Sequence, residues 1–107
     1  FQTVTTAEKF ANLAIPKMVT ELESLGVKTR NMMAKIAGGA SMFQFADKKL
    51  NMDIGKRNIT AVRKTLKQIG IPLLAEDTGG HTGRTMILNL KDKTVMIKTA
   101  GKDLKML

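Results

Sequence analysis

Two stretches of this sequence hold residue types that could do chemistry at close quarters. The first is Ala34-Lys35-Ile36-Ala37-Gly38-Gly39-Ala40-Ser41-Met42-Phe43. The second is Ala75-Glu76-Asp77-Thr78-Gly79-Gly80, with His81-Thr82-Gly83-Arg84 behind it. Each reads as a short apolar strand running out into paired glycines. Glycine lacks Cβ and tolerates positive φ, so such junctions let backbone approach a ligand or a neighbouring segment. Backbone N–H groups at Gly38-Gly39 or along 79–83 could cradle an anion. Neither stretch is a nucleotide fingerprint, because no Walker lysine precedes Ser or Thr and no spaced glycine triplet opens a helix. Ordinary turn glycines are the plainer reading.

His81 is the only histidine. As a general base it needs a nucleophile to activate. The chain has no cysteine, and Ser41, the nearest plausible hydroxyl, is distant in sequence. An exposed loop histidine is therefore preferred. One histidine with scattered carboxylates has no metal-ligand spacing, so neither metal nor cofactor is expected. Glu76 and Asp77 could do acid–base work if their environments split their pKa values. Neighbours on a strand point to opposite faces, which argues against a shared site. Asp77 or Thr78 bonded to the following backbone, and Asp77 paired with Arg84 across the loop, are the structural expectations. Phe43 and Phe45 suit a partner surface or a core equally well.

The elements that position these residues follow from periodicity. Thr5 to Glu8 has capping-box spacing. Ala11, Ala14, Ile15, Met18, Val19, Leu22 and Leu25 then predict one amphipathic helix, kinked at Pro16 and ending before Gly26. Val27–Asn31 is a connector with room for a single turn. Met32–Ala37 reads as a strand, and 40–53 as a loop with a solvated turn at Asp47-Lys48-Lys49. Ile59, Val62, Leu66 and Ile69 predict a second helix closed by Gly70. Ile71–Ala75 is a strand with proline near its start. Arg84–Leu90 and Thr94–Lys98 form a hairpin through Lys91-Asp92-Lys93, without the usual turn glycine. The class is α+β (mixed α/β), with both helices on one sheet face.

With 107 residues, 43% hydrophobic and 25% charged, the chain reads as a single domain, 1–107. Its start at Phe1 suggests truncation at the N-terminus. Without cysteine there is no disulfide framework. No apolar run reaches membrane-spanning length, so no membrane insertion is expected and a cytoplasmic protein is the default. The net charge of +9 favours an anionic partner. Its basic residues read as spread along the chain, with pairs at Lys48-Lys49, Lys56-Arg57 and Arg63-Lys64. No helix-turn-helix, zinc or aromatic–basic pattern supports nucleic acid as that partner. A small basic nucleic-acid binder is the distant alternative.

Three separated blocks carry a resemblance. Ala34–Phe43, Ile54-Gly55-Lys56-Arg57-Asn58, and Leu74–Gly80 followed by Gly83-Arg84 stand in the order and at the intervals of the CheD family. The likeness runs from about Lys9 to Thr99. These are chemoreceptor glutamine deamidases, similar in fold to deamidating toxins: a β-sheet sandwich with helices packed outside. The resemblance implies conversion of receptor glutamines to glutamates with release of ammonia, and related methyl-ester hydrolysis. It implies a cysteine nucleophile, a histidine and an orienting threonine in a region ahead of the first helix. It also implies two partners, the receptor cytoplasmic domain and a CheC-type phosphatase. Nothing here matches the catalytic region, and His81 does not correspond to the family histidine. The chain thus resembles the C-terminal two thirds of the family, with no catalytic residue of its own. Ser41, Met42 and Phe43 are then expected to line a partner or substrate surface, with Asp77, Thr78, Gly79 and Gly80 shaping the loop beside it. The alternative is an inactive, partner-binding module of the same family.

Overall fold

Apolar residues spaced by three and four build the first element. A computed structural model describes residues 7–40 and 48–107, with side chains over 10–40 and 54–107. Helix α1 (Ala7–Ser24) buries Ala11 and Val19 and half-buries Ile15, one side chain per turn. It runs on through Pro16, which costs one backbone donor but does not end the helix. Thr5 of the capping box lies outside the described residues. A single 3-10 turn, Thr29–Asn31, follows where one turn was expected.

Helix α2 is longer than its apolar stripe suggests, spanning Lys48–Ile69. This corrects the loop expected over 40–53: Lys48 to Asp53 are helical, and residues 41–47 lie outside the described ones. Gly55 and the charges before it hid the first two turns, since glycine costs about 1 kcal/mol in a helix interior and reads as a breaker. Both helices close in the same way. Val27 and Ile71 N–H donate to the carbonyls of Leu22 and Leu66 (3.1 and 2.9 Å). Gly26 and Gly70 N–H donate to Glu23 and Lys67 (2.9 and 3.1 Å). These are the paired bonds of a Schellman cap.

Strand β1 (Ala34–Gly38) pairs in parallel with β2 (Leu73–Thr78), and α2 is the crossover between them. The register carries a bulge: Ala34 faces Leu73, but Lys35 faces Ala75, which leaves Leu74 unpaired and exposed. The extra residue resets the alternation. Leu73 and Glu76, an odd number of positions apart, can therefore both face the helices. Val19, Leu66 and Ile71 form the buried cluster there, with Ile15, Met32, Ala34, Ile36, Val62, Ile69 and Leu73 packed around it. Both helices thus share one face of this sheet, as expected.

The second sheet is antiparallel, in the order β3 (Arg84–Asn89), β4 (Thr94–Thr99), β5 (Lys105–Met106). The hairpin expected between β3 and β4 is present, with its connection over 90–93. Its turn is made by side chains rather than glycine. Asn89 Oδ1 accepts from Lys91 N–H (3.0 Å), Asp92 Oδ1 accepts from Thr94 N–H (3.1 Å), and Lys93 adopts φ +62°. Ile97 is the largest side chain buried outright among the described residues. The sequence pattern predicts no strand at 105–106, where β5 lies.

Candidate functional site

The two glycine junctions, Gly38-Gly39 and Gly79-Gly80, lie side by side. Gly38 is the register partner of Thr78, and Gly79 N–H donates to Gly38 O at 2.9 Å. Both parallel strands therefore empty at one rim, outside their C-terminal ends, where open sheets with parallel strands commonly bind ligands. Gly39 and Gly55 explain why this rim can exist. A Cβ on Gly39 would stand 2.5 Å from Ile59 Cδ1, and one on Gly55 would stand 2.6 Å from the carbonyl oxygen of Gly39. The close approach anticipated from the glycines is thus an approach of backbone to helix, seating α2 against the end of β1.

Glu76 and Asp77 part company, as strand alternation predicts. Glu76 faces α2 and pairs with Arg63 (2.5 Å), while Thr78 Oγ1 donates to the same carboxylate (2.8 Å). The Arg63 and Thr78 hydrogen bonds hold the Glu76 carboxyl below the usual range. Asp77 faces the antiparallel sheet and bonds Lys105 Nζ (2.7 Å) and Arg84 (2.6 Å). The expected Asp77–Arg84 pair is therefore present. Both carboxylates lie inside β2 rather than beyond it, because that strand runs on to Thr78.

Arg84 is the centre of the loop after β2. Its side chain is only 7% exposed. It donates to Asp77 O (2.6 Å), Thr82 O (3.1 Å) and Gly79 O, so residues 77–84 wrap around one guanidinium. The loop borders an open cleft of about 230 Å³ that also takes in Thr99, Lys102 and Asp103. Asp77, Thr78, Gly79 and Gly80 all line this cleft, and His81 stands at its exposed side. Ser41, Met42 and Phe43 lie outside the described residues. Lys105 gave no signal in the sequence, since a two-residue strand falls below what alternation can detect.

Chemically, the cleft offers hydrogen bonds and charge of both signs. A cysteine nucleophile is not available from this sequence. Among the described residues no cluster of His, Asp and Glu could hold a metal ion, and no helix is long and apolar enough to cross a membrane.

The Asp77 bridge has a pH signature. The Lys105 hydrogen bond first, then the charges of Lys105 and Arg84, hold its carboxyl below the ordinary value. A depressed folded-state pKa stabilises the fold above the unfolded value, about pH 3.9 for Asp, and that stability is lost as pH falls below it. Urea melts from neutral pH down to pH 3 should therefore show a shallower acid loss for Asp77→Asn than for the parent. Equal slopes would contradict the assignment.

The comparison with known proteins completes the picture. A family model described as CheD chemotactic sensory transduction matches residues 2–99. The chain belongs to the CheD family. A Clostridium acetobutylicum protein described as "Probable chemoreceptor glutamine deamidase CheD" is 53% identical over 105 residues, which is 98% of this chain and 63% of that protein. A Clostridium kluyveri relative with the same description is 50% identical, over 98% of this chain and 65% of its own length. One from Clostridium botulinum is 54% identical, over 94% and 62% respectively. The chain thus spans less than two thirds of these CheD relatives.

Proposed function

We propose that this chain is the scaffold and recognition part of a cysteine-dependent protein-glutamine deamidase acting on methyl-accepting chemotaxis receptors. The observation that supports it most is the 53% identity, over 98% of the chain, to a relative described as a chemoreceptor glutamine deamidase. Under this reading the Cys/His site lies upstream of these 107 residues, among which there is no cysteine. A thiolate attacks the glutamine carboxamide carbon, and the oxyanion is held by backbone donors. Ammonia leaves with a proton from the histidine, and water hydrolyses the thioester to glutamate. Hydrolysis of a glutamate methyl ester would pass through the same thioester.

The contribution of this chain is placement. The paired glycine junctions form a rim that Arg84 holds rigid. Asp77, Thr78, Gly79 and Gly80 shape its loop, and Ser41, Met42 and Phe43 present the surface that meets the receptor cytoplasmic domain or a CheC-type phosphatase. The work is done in the cytoplasm, without a cofactor. Phe43→Glu in the intact protein is expected to weaken partner binding by tenfold or more, about the effect of removing an aromatic anchor. Unchanged affinity in a titration, with the melt intact, would remove Phe43 from the interface.

Mass spectrometry of a receptor cytoplasmic domain incubated with the intact protein tests the activity, through the mass gain of each amide-to-acid conversion. Binding without conversion would favour the second reading, an inactive partner-binding module.

A further inference from the structure

The basic residues occur along the whole chain, but the net positive charge is concentrated on one helix. Seven of its 18 basic residues and one of its nine acidic residues fall on α2. All three basic pairs of the sequence, Lys48-Lys49, Lys56-Arg57 and Arg63-Lys64, belong to that one helix. From residue 54 on, where side chains are described, the apolar residues Ile59, Val62, Leu66 and Ile69 turn inward. Lys56, Arg57, Lys64 and Lys67 are exposed, and Arg63 is half exposed. At 100° per residue these five cations fall within one third of the helix circumference, along about 16 Å of its length.

This arrangement works against the helix itself. Like charges at i,i+3 and i,i+4, such as Lys64 and Arg63 against Lys67, oppose helix formation. Helix α1 avoids the problem, mixing Glu8, Glu21 and Glu23 with Lys9 and Lys17. On α2 only Arg63 has a carboxylate partner among the described residues, and that partner is Glu76, next to Asp77 at the rim. The N-terminal end of the stripe is anchored at the rim, because Gly55 rests on Gly39 and is followed directly by Lys56 and Arg57. The charge stripe therefore starts at the rim and runs back along α2 toward the start of β2.

We propose that this face of α2 is a docking surface for an acidic protein surface. The proposal rests on the reading above in taking that surface to be the receptor cytoplasmic domain. Charge complementarity argues for the occupant, and two absences on α2 argue against the others. It carries no aromatic residue on which a nucleic-acid base could stack. Its described apolar side chains point away from the stripe, which leaves nothing to insert among lipids. Such a surface acts mainly by steering encounter and setting orientation, so its effect is strongest at low ionic strength.

The test is a titration of a purified receptor cytoplasmic domain with the intact protein, in which Lys56, Arg57, Lys64 and Lys67 are all replaced by glutamate, at low and high salt. Affinity is expected to fall about tenfold or more at low salt, with the gap narrowing as salt rises. A second variant that exchanges lysine and arginine at the same positions is expected to bind like the parent. Thermal melts of both variants report on folding. Unchanged affinity in the glutamate variant would overturn the proposal. So would tighter binding of the parent to a DNA duplex, or to phosphatidylglycerol vesicles, than to the receptor domain. If the parent docks in the charge-dependent way but leaves the glutamines unconverted, the docking surface is upheld and the deamidase reading fails.

Discussion

Arg84→Met is expected to destabilise the protein by about 1–3 kcal/mol, the range for leaving hydrogen-bond acceptors in the folded protein without their donor. The physical reason is in what stays behind. With the guanidinium gone, the carbonyls of Asp77, Gly79 and Thr82 lose their shared donor, and Asp77 keeps only Lys105, whose side chain is 60% exposed. Methionine fills much of the volume but offers no hydrogen bond. For a domain of this size the loss corresponds to a fall in Tm of roughly 5 °C or more. Arg84→Lys should recover little of it, because one ammonium cannot reach acceptors spread around a planar fork. A melt of Arg84→Met within about 3 °C of the parent, less than 1 kcal/mol by the same scaling, would show that the loop closes without this residue.

The second large effect goes against helix propensity. Gly55→Ala replaces glycine inside α2 with the best helix former, a change worth about 1 kcal/mol in favour of the helix. We nevertheless expect a net loss of about 1–3 kcal/mol, in the range of overpacking a tight contact. The new methyl would meet the backbone carbonyl of Gly39 at 2.6 Å, and backbone at the end of a paired strand cannot rotate aside as a side chain can. Relief requires α2 to move off β1 at the very place where both glycine junctions meet. Urea denaturation decides the sign: a higher midpoint for Gly55→Ala would mean that the helix does not touch the strand end.

Much of this fold was legible because long apolar stripes dictate a single packing. The stripe Ile59–Ile69 and the hairpin flanking Lys91-Asp92-Lys93 stand where the periodicity puts them, while along the first stripe Ala11, Ile15 and Val19 turn inward and Ala14, Met18, Leu22 and Leu25 stay exposed. The pairing of Asp77 with Arg84 was readable too, since short loops bring such neighbours together. The parts not legible share one cause: they depend on what lies across space. Gly55 reads as a break in isolation and as a contact point only beside Gly39. Leu74 reads as a strand residue until the register shows it is the extra one. Lys105 reaches Asp77 only because β5 closes on β4. Lys56, Arg57, Arg63, Lys64 and Lys67 fall on the helix that the periodicity predicts, away from its apolar stripe, and the loop expected over 40–53 left only Lys48 and Lys49 off it.

The site was legible in outline and less so in role. The glycine pairs read more plainly as turn glycines than as an anion cradle. Gly39 serves to admit a helix, and Gly79 and Gly80 belong to a loop wrapped on Arg84. The two rims are one rim, which the echo between the two stretches hinted at without giving the register. Apolar side chains such as Phe10, Leu13, Met18, Leu88 and Leu90 are left exposed by the described residues, at 51–81%.

The central claim is that this chain positions a reaction whose nucleophile lies outside its 107 residues, none of which is cysteine. Alkylation tests it most directly. The intact protein, with and without prior treatment with iodoacetamide, is incubated with a receptor cytoplasmic domain, and glutamine-to-glutamate conversion is read by peptide mass mapping. We expect conversion by the untreated protein and none after alkylation. Conversion that survives complete alkylation, or that is carried out by residues 1–107 alone, would contradict the account.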